Sequence, residues 1–300
     1  MDLKQLNNSY GVPGQLEFIR GKGGFPVVAV TNRSAKALIS LYAGQVLSFQ
    51  PHKEPEDLLF LSQAADYTQG KAIRGGIPLC WPWFGPDPEN LKRPNHGFAR
   101  THNWTVLDMV TSPDETRLTL GFLNSTDSKV YWSDDFELRL KISIGSALTL
   151  ELETSNVSSR PFVITQAFHP YFKIGRIDRV RVLGLEGHHY LDRLAGDMEI
   201  KQTRPLTISE EVDRIYTDIE DAVIIEDAAL NRRIRIAAIN SKNTVVWNPW
   251  IRKSAAMSDL EPDEYKRFLC VEPGNVATDA VEILPGGKYK LRAKFSVERE

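Results

Sequence analysis

The chain has 300 residues, and its 37 Lys and Arg side chains nearly balance its 39 Asp and Glu side chains, giving a formal net charge of −2. This balance argues against a general nucleic-acid binder, because such proteins usually carry an excess of basic residues. A hydrophobic content of 42% can build a large core and excludes an intrinsically disordered chain. Glycine and proline occur at ordinary frequencies, which excludes fibrous and low-complexity architectures.

The sequence carries no sign of secretion or membrane insertion. Residues 1–10 are polar and lack the apolar segment that a secretory signal needs. No uncharged stretch reaches the length expected of a membrane-spanning helix. The two cysteines, Cys80 and Cys270, are too few for a disulfide framework or a cysteine-rich zinc site. We therefore expect a cytoplasmic, monomeric globular protein with no membrane or nucleic-acid partner.

Apolar and polar residues alternate through much of the chain, which is the pattern of a strand with one buried face. An early pair of such segments flanks Ala43-Gly44 and a later pair flanks Gly145-Ser146, so each pair is expected to form a hairpin. The predicted strands, in chain order, cover residues 37–41, 45–49, 118–122, 136–144, 148–154, 234–236 and 289–297.

Helical signals are sparse by comparison. Residues 209–212 and 263–268 each predict a single helical turn, and no long amphipathic helix is expected. Short strands at spacings of about ten residues, separated by turn residues, indicate a large antiparallel sandwich or barrel. Strands and helices do not alternate, and no linker rich in proline or serine divides the chain, so the pattern predicts one all-β domain.

Four segments break the strand pattern and concentrate unusual residues. The first, residues 74–86, sets Trp81 and Trp83 among prolines and glycines, which predicts a rigid loop. Its tryptophans could form an apolar wall on which a sugar ring stacks. Alternatively, the loop seals one end of the sandwich.

Arg74 in this loop and Arg100 at the end of the second segment, residues 95–100, are isolated cations in loops that otherwise lack charge. Both suit a phosphate or a carboxylate, because the donors of a guanidinium group form a planar fork. The alternative is that each arginine pairs with a nearby acidic side chain.

The third and fourth segments end apolar runs in an ionisable residue. A predicted strand over residues 162–168 is followed by His169, and the apolar run 268–271 is followed by Glu272. A carboxylate at the end of a buried strand is costly unless it is paired or used chemically. The alternatives are that His169 is a structural residue and that Glu272 forms a salt bridge.

The sequence offers no familiar metal or cofactor motif. His188 and His189 are adjacent and would face opposite sides of a strand, and neither HExxH nor CxxC occurs. No Walker loop, GxGxxG or GxSxG motif is present, which argues against nucleotide binding and serine hydrolase chemistry. We therefore expect neither a metal nor a cofactor.

Six segments, taken together and in order, resemble a known family. They are RGGIP (74–78) with WP (81–82), HGFAR (96–100), FHPYF (168–172), VDRIY (212–216), VWNP (246–249) and VE (271–272). They resemble the aldose 1-epimerase, or galactose mutarotase-like, superfamily, and within it the hexose-6-phosphate mutarotases, also called glucose-6-phosphate 1-epimerases. The resemblance covers residues 25–297. It implies a single β-sandwich domain over residues 1–300, with residues 1–24 as an N-terminal extension.

The resemblance also implies roles for particular residues. Asp213 matches an acid that hydrogen-bonds sugar hydroxyl groups, and Arg74 and His96 match positions that contact the substrate near its ring. Arg74 and Arg100 together would hold the 6-phosphate. For Trp247, our own hypothesis is a stacking role. No metal or other cofactor is implied.

His169 and Glu272 match the catalytic histidine and glutamate of the family. Mutarotation interconverts α and β anomers by opening and reclosing the bond between C1 and the ring oxygen. We assign Glu272 as the base for the C1 hydroxyl and protonated His169 as the acid for the ring oxygen, with the roles reversed on closure. Histidine suits this exchange because its unperturbed pKa is about 6.5, and a nearby carboxylate would favour the imidazolium form.

Three other functions stay open at this stage. A non-catalytic sugar-binding or sugar-sensing module would keep the aromatic loops and Asp213 without needing both His169 and Glu272. A glycoside hydrolase or lyase would need two flanking acids, for which Glu272 and Asp213 could serve. An epimerase acting on neutral sugars would not need the two arginines as a phosphate site.

Overall fold

The computed structural model describes residues 2–299. Its regular structure is almost entirely antiparallel β, arranged in two large sheets and two smaller ones. The described residues also form three short helices, which are α1 (Leu3–Tyr10), α2 (Thr126–Lys129) and α3 (Trp250–Ala255). The predicted large antiparallel β-sandwich is therefore confirmed.

The N-terminal part of the chain builds a four-stranded sheet with the order β1-β2-β3-β4. The expected hairpin around Ala43-Gly44 is present as β3 and β4, and α1, which the sequence did not predict, is capped by the Asp2 side chain. Phe18 in β1 is buried in the main core, so the proposed N-terminal extension packs against the sandwich. The four strands are β1 (Leu16–Arg20), β2 (Pro26–Thr31), β3 (Ala35–Ser40) and β4 (Gln45–Pro51).

The remaining strands supply the two large sheets and one two-stranded ribbon, β10-β22. They are β5 (Leu79–Cys80), β6 (Thr105–Thr111), β7 (Thr116–Leu123), β8 (Phe136–Ile144), β9 (Leu148–Asn156), β10 (Phe162–Ile164), β11 (Gln166–Phe168), β12 (Tyr171–Lys173), β13 (Val180–Leu183), β14 (His189–Asp192), β15 (Met198–Lys201), β16 (Leu206–Thr207), β17 (Val212–Tyr216), β18 (Val223–Asp227), β19 (Arg232–Ile239), β20 (Asn243–Asn248), β21 (Phe268–Asn275), β22 (Val281–Ile283) and β23 (Lys288–Glu298).

The nine-stranded sheet has the order β16-β13-β18-β19-β23-β9-β8-β7-β6. The predicted hairpin of β8 and β9 is present, with Ile144 paired to Leu148 across the turn. Along β23 the side chains of Leu291, Ala293 and Phe295 are buried, and Arg292 and Lys294 between them are exposed. The alternation seen in the sequence therefore gives this sheet one face in the core and one in solvent.

The eight-stranded sheet has the order β15-β14-β17-β20-β21-β11-β5, and β12 also pairs with β21. The main cluster of buried hydrophobic side chains joins residues of this sheet, such as Val246 and Val271, to Phe295 of the nine-stranded sheet and to Phe18 of the N-terminal sheet. This continuous core supports our proposal that the chain forms one domain.

The two predicted helical turns have different outcomes. Residues Glu264–Arg267 form a 3-10 turn, which confirms the second prediction. The first is wrong, because Val212 begins strand β17 instead of ending a helical turn. Val212 and Tyr216 pair with Asn248 and Thr244 of β20, so the sheet ladder satisfies backbone groups that a helical turn would have used.

Candidate active site

Strands β20 and β21 place the candidate site on the face of the eight-stranded sheet that turns away from the main core. Val246 and Val271 pack into that core. Successive side chains of a strand point to opposite faces, so Trp247, Cys270 and Glu272 point away from it. Every residue of β20 and β21 is nevertheless buried, because loop residues cover this outer face.

The strand register fixes which side chains are neighbours on the outer face. One row across the sheet runs from Asp213 through Trp247 to Cys270. The next row runs through Val245 to Glu272. Paired residues of neighbouring strands share a face, so Asp213 and Glu272 lie on one surface although they are far apart in the sequence.

His169 reaches the same surface from the gap between β11 and β12. Ala167 of β11 pairs with Gly274, and Tyr171 of β12 pairs with Cys270, so both strands pair with β21. This spacing sets His169 opposite Glu272. The imidazole ring stacks on the Tyr171 ring, with centroids 4.9 Å apart and planes 7° from parallel. Tyr171 therefore fixes the plane of the imidazole.

The two predicted catalytic residues touch each other. His169 Nε2 lies 3.4 Å from Glu272 Oε1. His169 is 6% exposed and Glu272 is 1% exposed, so water does not screen the pair. The second polar atom of each side chain, Nδ1 of His169 and Oε2 of Glu272, has no hydrogen-bond partner. Each side chain thus holds one buried polar atom that makes no hydrogen bond.

The protein environment favours the neutral form of both residues. Burial, reinforced by the positive charges of Arg100 and Arg74, lowers the pKa of His169 well below 6.5. Burial and the charge of Asp213 raise the pKa of Glu272 well above 4.5, against the opposing effect of Arg100. The expected preference for imidazolium beside a carboxylate is therefore opposed by desolvation. The pair holds one exchangeable proton whether it is an imidazole with a carboxylic acid or an imidazolium with a carboxylate.

His96 lies beside this pair, and its tautomer is set by the backbone. The Gly85 amide donates a hydrogen bond to His96 Nδ1 at 3.2 Å, so Nδ1 is an acceptor and Nε2 carries the proton. Burial, Arg100 and His169 lower the pKa of His96, which keeps the ring neutral. The ring of His96 meets that of His169 edge to face at 5.7 Å. His96 is therefore a neutral hydrogen-bond donor in the site.

Arg74 is already engaged by other side chains. Its Nε and one terminal nitrogen contact Asp259 Oδ2 at 3.1 and 2.9 Å, and the other terminal nitrogen donates to the Tyr171 hydroxyl at 2.8 Å. The alternative that this arginine pairs with an acid is thus correct for Arg74. Its guanidinium also anchors Tyr171, the residue that orients His169.

Arg100 differs from Arg74, because no carboxylate of residues 2–299 lies within ion-pair distance of it. One terminal nitrogen donates to the Asn95 carbonyl oxygen at 2.9 Å. Its charge reaches His96, His169 and Glu272, whose pKa values it lowers. Arg100 is therefore the cation of this site whose charge no carboxylate of residues 2–299 neutralises, so it is available to bind an anionic ligand.

Asp213 lies at the rim of the same surface. Burial raises its pKa, and Lys253 at 4.0 Å opposes that change. Lys253 also contacts Glu211 at 2.9 Å and lies over the Trp247 ring at 5.9 Å. A partly exposed carboxylate between an ammonium group and an open space is well placed to accept hydrogen bonds from hydroxyl groups.

A cavity of about 670 Å³ lies in front of these residues, within the range of small-molecule sites. All six predicted site residues line it, which are Arg74, His96, Arg100, His169, Asp213 and Glu272. The sequence analysis did not single out Arg193, Lys253 or Met257, which also line the cavity.

The tryptophans of the first loop do not line the cavity. Trp81 and Trp83 are buried in the main core, where the Trp81 indole donates to Thr154 Oγ1 and the Arg93 guanidinium covers Trp83. The loop therefore seals the sandwich, and the idea of a sugar-stacking wall at Trp81 and Trp83 is wrong. Trp247 instead lines the cavity and meets the His169 ring edge to face at 5.9 Å.

Cys270, on the same face of β21 as Glu272, completes one group of three potential metal ligands with His169 and Glu272 in the described part of the chain. In the same part of the chain, no helix is long and apolar enough to cross a membrane.

Solved structures first define the class of protein. A crystal structure of a "putative mutarotase" from Salmonella typhimurium superposes with a TM-score of 0.90 at 32% identity, over 97% of this chain and 96% of that one. A galactose mutarotase-like protein from Clostridium acetobutylicum shares the fold with a TM-score of 0.71 at 14% identity, over 95% of this chain and 98% of that one. The fold is thus that of the galactose mutarotase-like β-sandwiches.

Sequence comparison then gives the family. Residues 26–296 match the family described as aldose 1-epimerase. A protein of Escherichia coli (strain K12), named "Putative glucose-6-phosphate 1-epimerase", is 36% identical over 82% of this chain and 82% of its own length. A protein of the same name from Cenchrus ciliaris is 34% identical over 93% of this chain and 87% of its own length. The chain belongs to the aldose 1-epimerase family, and it is an isomerase that interconverts the anomers of a sugar.

Proposed function

We propose that this enzyme interconverts the α and β anomers of glucose 6-phosphate, with His169 and Glu272 as the groups that transfer protons. The observation that carries the proposal is the buried contact of 3.4 Å between His169 Nε2 and Glu272 Oε1 on the floor of the cavity. The relatives named for glucose 6-phosphate support the choice of substrate.

The arrangement of the pair suits the reaction because the hydroxyl oxygen and the ring oxygen of a hemiacetal are bonded to the same carbon. An acid and a base only a few ångströms apart can therefore serve both oxygens at once. Glu272 accepts the C1 hydroxyl proton, and protonated His169 gives its proton to the ring oxygen as the C1–O5 bond breaks. Rotation about C1–C2 and reclosure, with each proton transfer reversed, give the other anomer.

Ring opening also removes charge from a buried site. In the assigned direction, the pair passes from an imidazolium and a carboxylate, which burial disfavours, to an imidazole and a carboxylic acid. The second state is the one that burial favours for both residues. Positioned general acid–base groups of this kind contribute roughly 10²–10⁴-fold to a rate.

The cations of the cavity supply the preference for a phosphate. Arg100, which lacks a carboxylate partner among the described residues, offers charge-assisted hydrogen bonds to a phosphate dianion. Arg74 lines the same cavity, but Asp259 already neutralises it, so its part in holding the phosphate requires exchange of that partner. Asp213 and His96 are assigned to the sugar hydroxyl groups as acceptor and donor, respectively.

Polarimetry of freshly dissolved α-glucose 6-phosphate tests the proposal. The protein should speed the approach to the equilibrium rotation, with a much higher kcat/KM for glucose 6-phosphate than for glucose. His169→Asn and Glu272→Gln should each lower kcat by roughly 10²–10⁴-fold. The matched controls His189→Asn and Glu282→Gln, both exposed, should keep full activity.

Four results would speak against this assignment. Full activity of His169→Asn or Glu272→Gln would remove the pair from the chemistry. Equal kcat/KM for glucose and glucose 6-phosphate would favour an epimerase of neutral sugars. Binding without anomer exchange would favour a sugar-binding module, whereas a glycoside hydrolase would incorporate solvent oxygen into a released product.

We also infer that the enzyme acts as a cytoplasmic monomer and needs no nucleic acid, metal or organic cofactor for turnover. Proton transfer by two side chains suffices for the reaction, and a net charge of −2 gives little attraction to nucleic acid. Light scattering should give the mass of one chain, and turnover should be unchanged by EDTA.

A further inference from the structure

The catalytic pair has a third neighbour that the epimerase reaction does not use. One ligand atom from each of His169, Cys270 and Glu272 can be chosen so that all three lie within 4.8 Å of one another, and all three residues are buried. Imidazole nitrogen, thiol sulfur and carboxylate oxygen are the three donor types that zinc binds in proteins. The cluster is invisible as a sequence motif because His169 lies 101 positions before Cys270.

The backbone holds the three side chains in a fixed arrangement. Cys270 and Glu272 are two residues apart on β21 and share one face of the sheet. His169 is held opposite them by the pairs Ala167–Gly274 and Tyr171–Cys270. The stacked ring of Tyr171 orients the imidazole, so the cluster requires no rearrangement of strands to meet an ion.

The measured separation of two donor atoms fits a tetrahedral ion. The separation of 3.4 Å between His169 Nε2 and Glu272 Oε1 is the edge of a tetrahedron whose metal–ligand bonds are about 2.0–2.1 Å long. The other polar atom of each side chain, His169 Nδ1 or Glu272 Oε2, is buried without a hydrogen-bond partner, so no competing hydrogen bond holds either side chain through that atom. Cys270 is a free thiol. A thiol among the donors favours zinc-class ions over magnesium and calcium, which prefer oxygen.

We propose that His169, Cys270 and Glu272 bind a divalent ion of the zinc class, and that the bound ion blocks the epimerase reaction. His169 and Glu272 line the cavity, with Cys270 beside Glu272 on the same face, so an ion arrives through the cavity and keeps its fourth position open there. Binding forms bonds from the metal to the Cys270 sulfur, the His169 nitrogen and the Glu272 oxygen, and it releases two protons to solvent: one from the broken S–H bond and the one that His169 and Glu272 share.

Inhibition is expected because the ion would occupy the lone pairs that the proton transfers need. An ion bound to His169 and Glu272 uses the nitrogen and oxygen atoms that would exchange protons with the sugar. The inhibitory half of the proposal therefore rests on the function proposed above, whereas the binding half does not. The two halves are tested by separate measurements.

Titration of the whole protein with Co²⁺, without any sugar, tests binding. Cobalt at a tetrahedral site with one cysteine should give intense visible bands and a near-ultraviolet sulfur-to-cobalt charge-transfer band, and Zn²⁺ should abolish both. Cys270→Ser should remove the charge-transfer band. The matched control Cys80→Ser, which replaces the other buried cysteine of the same sheet, should retain it. Cobalt binding without the band in the unaltered protein would overturn the site.

Polarimetry with added Zn²⁺ tests inhibition. The ion should slow the reaction and EDTA should restore it. Cys270→Ser and Cys270→Ala should keep the basal rate and raise the half-inhibiting Zn²⁺ concentration at least about tenfold, because losing even an outer-shell partner of a metal ligand costs about that much. The alanine variant adds no buried hydroxyl group and serves if the serine variant does not fold.

The two failures are distinguishable. Equal inhibition of the unaltered protein and both Cys270 variants would overturn the metal site and leave the epimerase proposal intact. Absence of epimerisation in metal-free protein would overturn the proposed function, while a cobalt charge-transfer band that depends on Cys270 would still support the site.

Discussion

The paired side chains of His169 and Glu272 each leave one polar atom without a partner, Nδ1 and Oε2 respectively. The large majority of buried polar side-chain atoms in folded proteins are hydrogen-bonded. Two such atoms are costly for folding alone, because each has given up its hydration without a protein partner. The arrangement of this pair is therefore not explained by fold stability, which is typical of residues kept for chemistry.

The pH dependence of the reaction should reflect the single proton that this pair shares. Burial lowers the pKa of His169 and raises that of Glu272, so the one-proton state spans a wide pH range. Below it the pair gains a second proton, and above it the pair loses its only proton. Activity should therefore fall on the acid side well below the usual histidine value of 6.5, and on the alkaline side well above the usual glutamate value of 4.5.

Arg100 offers a way to move both sides of that profile. Its positive charge lowers the pKa of His169 and of Glu272. Arg100→Gln should therefore shift both limbs to higher pH when kcat/KM for neutral glucose is followed by polarimetry. Arg252→Gln on the exposed side of α3 is the control and should leave the profile in place. A shift of the acid limb to lower pH in Arg100→Gln would contradict the electrostatic account.

The sequence predicts the residues that line the cavity better than it predicts their partners. His169 and Glu272 end apolar runs, and that position is visible in the sequence. The pairing of Arg74 with Asp259 is not visible, because the two residues lie 185 positions apart and meet only when the loop after α3 folds over the cavity. Lys253 is not predictable for the same reason, because the neighbouring sequence of a lysine in a cavity does not differ from that of a lysine on the surface.

At the scale of the elements, the loop over residues 74–100 depends on Gly97. This residue has a φ of +72°, and a Cβ atom placed there would lie 1.8 Å from the Trp81 carbonyl oxygen. Gly97→Ala must push the segment that carries His96 and Arg100 away from the segment that carries Trp81. We expect it to lower the free energy of unfolding by at least about 2 kcal/mol, measured by urea denaturation, and to reduce epimerase activity.

Gly14→Ala is the control that distinguishes the steric clash with Trp81 from the strain of a positive φ. Gly14 has almost the same φ, +74°, but no atom lies within 4 Å of the position of a Cβ atom there. Its substitution should cost only the strain of the left-handed conformation, about 1 kcal/mol, and leave activity unchanged. Equal losses in the two variants would show that the contact with Trp81 is unimportant.

Strands are predictable from the sequence where one face of the strand is exposed to solvent. The alternation along β8, β9 and β23 gave their location, because each has lysine, arginine or glutamate on the solvent side. Strands β20 and β21 are buried on both faces, so they show no such alternation, and the sequence marked only the end of one apolar run at Glu272. The site lies on the strands that periodicity describes least well.

At the scale of the molecule, an ion pair between the buried carboxylate of Glu54 and the exposed guanidinium of Arg299 joins the last described residue to the N-terminal sheet. Glu54, after β4, accepts two hydrogen bonds of 2.8 Å from Arg299 and lies 3.7 Å from the fully buried guanidinium of Arg232. Glu54→Gln leaves Arg232 without this counter-charge and should destabilise the fold by about 3 kcal/mol in urea denaturation. Glu56→Gln, whose side chain is 40% exposed, should cost less than about 1 kcal/mol.

The same pair should make stability depend on pH. Hydrogen bonding to Arg299 lowers the pKa of Glu54 below its usual value of 4.5. A lowered pKa in the folded state gives stability that is complete above pH 4.5 and is lost as the pH falls through the folded-state value. The difference in unfolding free energy between the unaltered protein and Glu54→Gln should therefore shrink on acidification below pH 4.5. A difference that stays constant there would contradict the linkage.

The overall charge of the molecule cannot attract a phosphate dianion, because the net charge is −2. Any attraction must come from the local field of the cavity, in which Arg100 is the cation without a carboxylate partner in the described chain. Raising the salt concentration from about 0.02 to about 0.2 M shortens the screening length from roughly 20 Å to roughly 7 Å. The KM for glucose 6-phosphate should therefore rise several-fold, while the KM for glucose stays constant. Arg100→Gln should lose most of this salt dependence, and a salt effect of equal size in that variant would move the phosphate to another cation of the cavity.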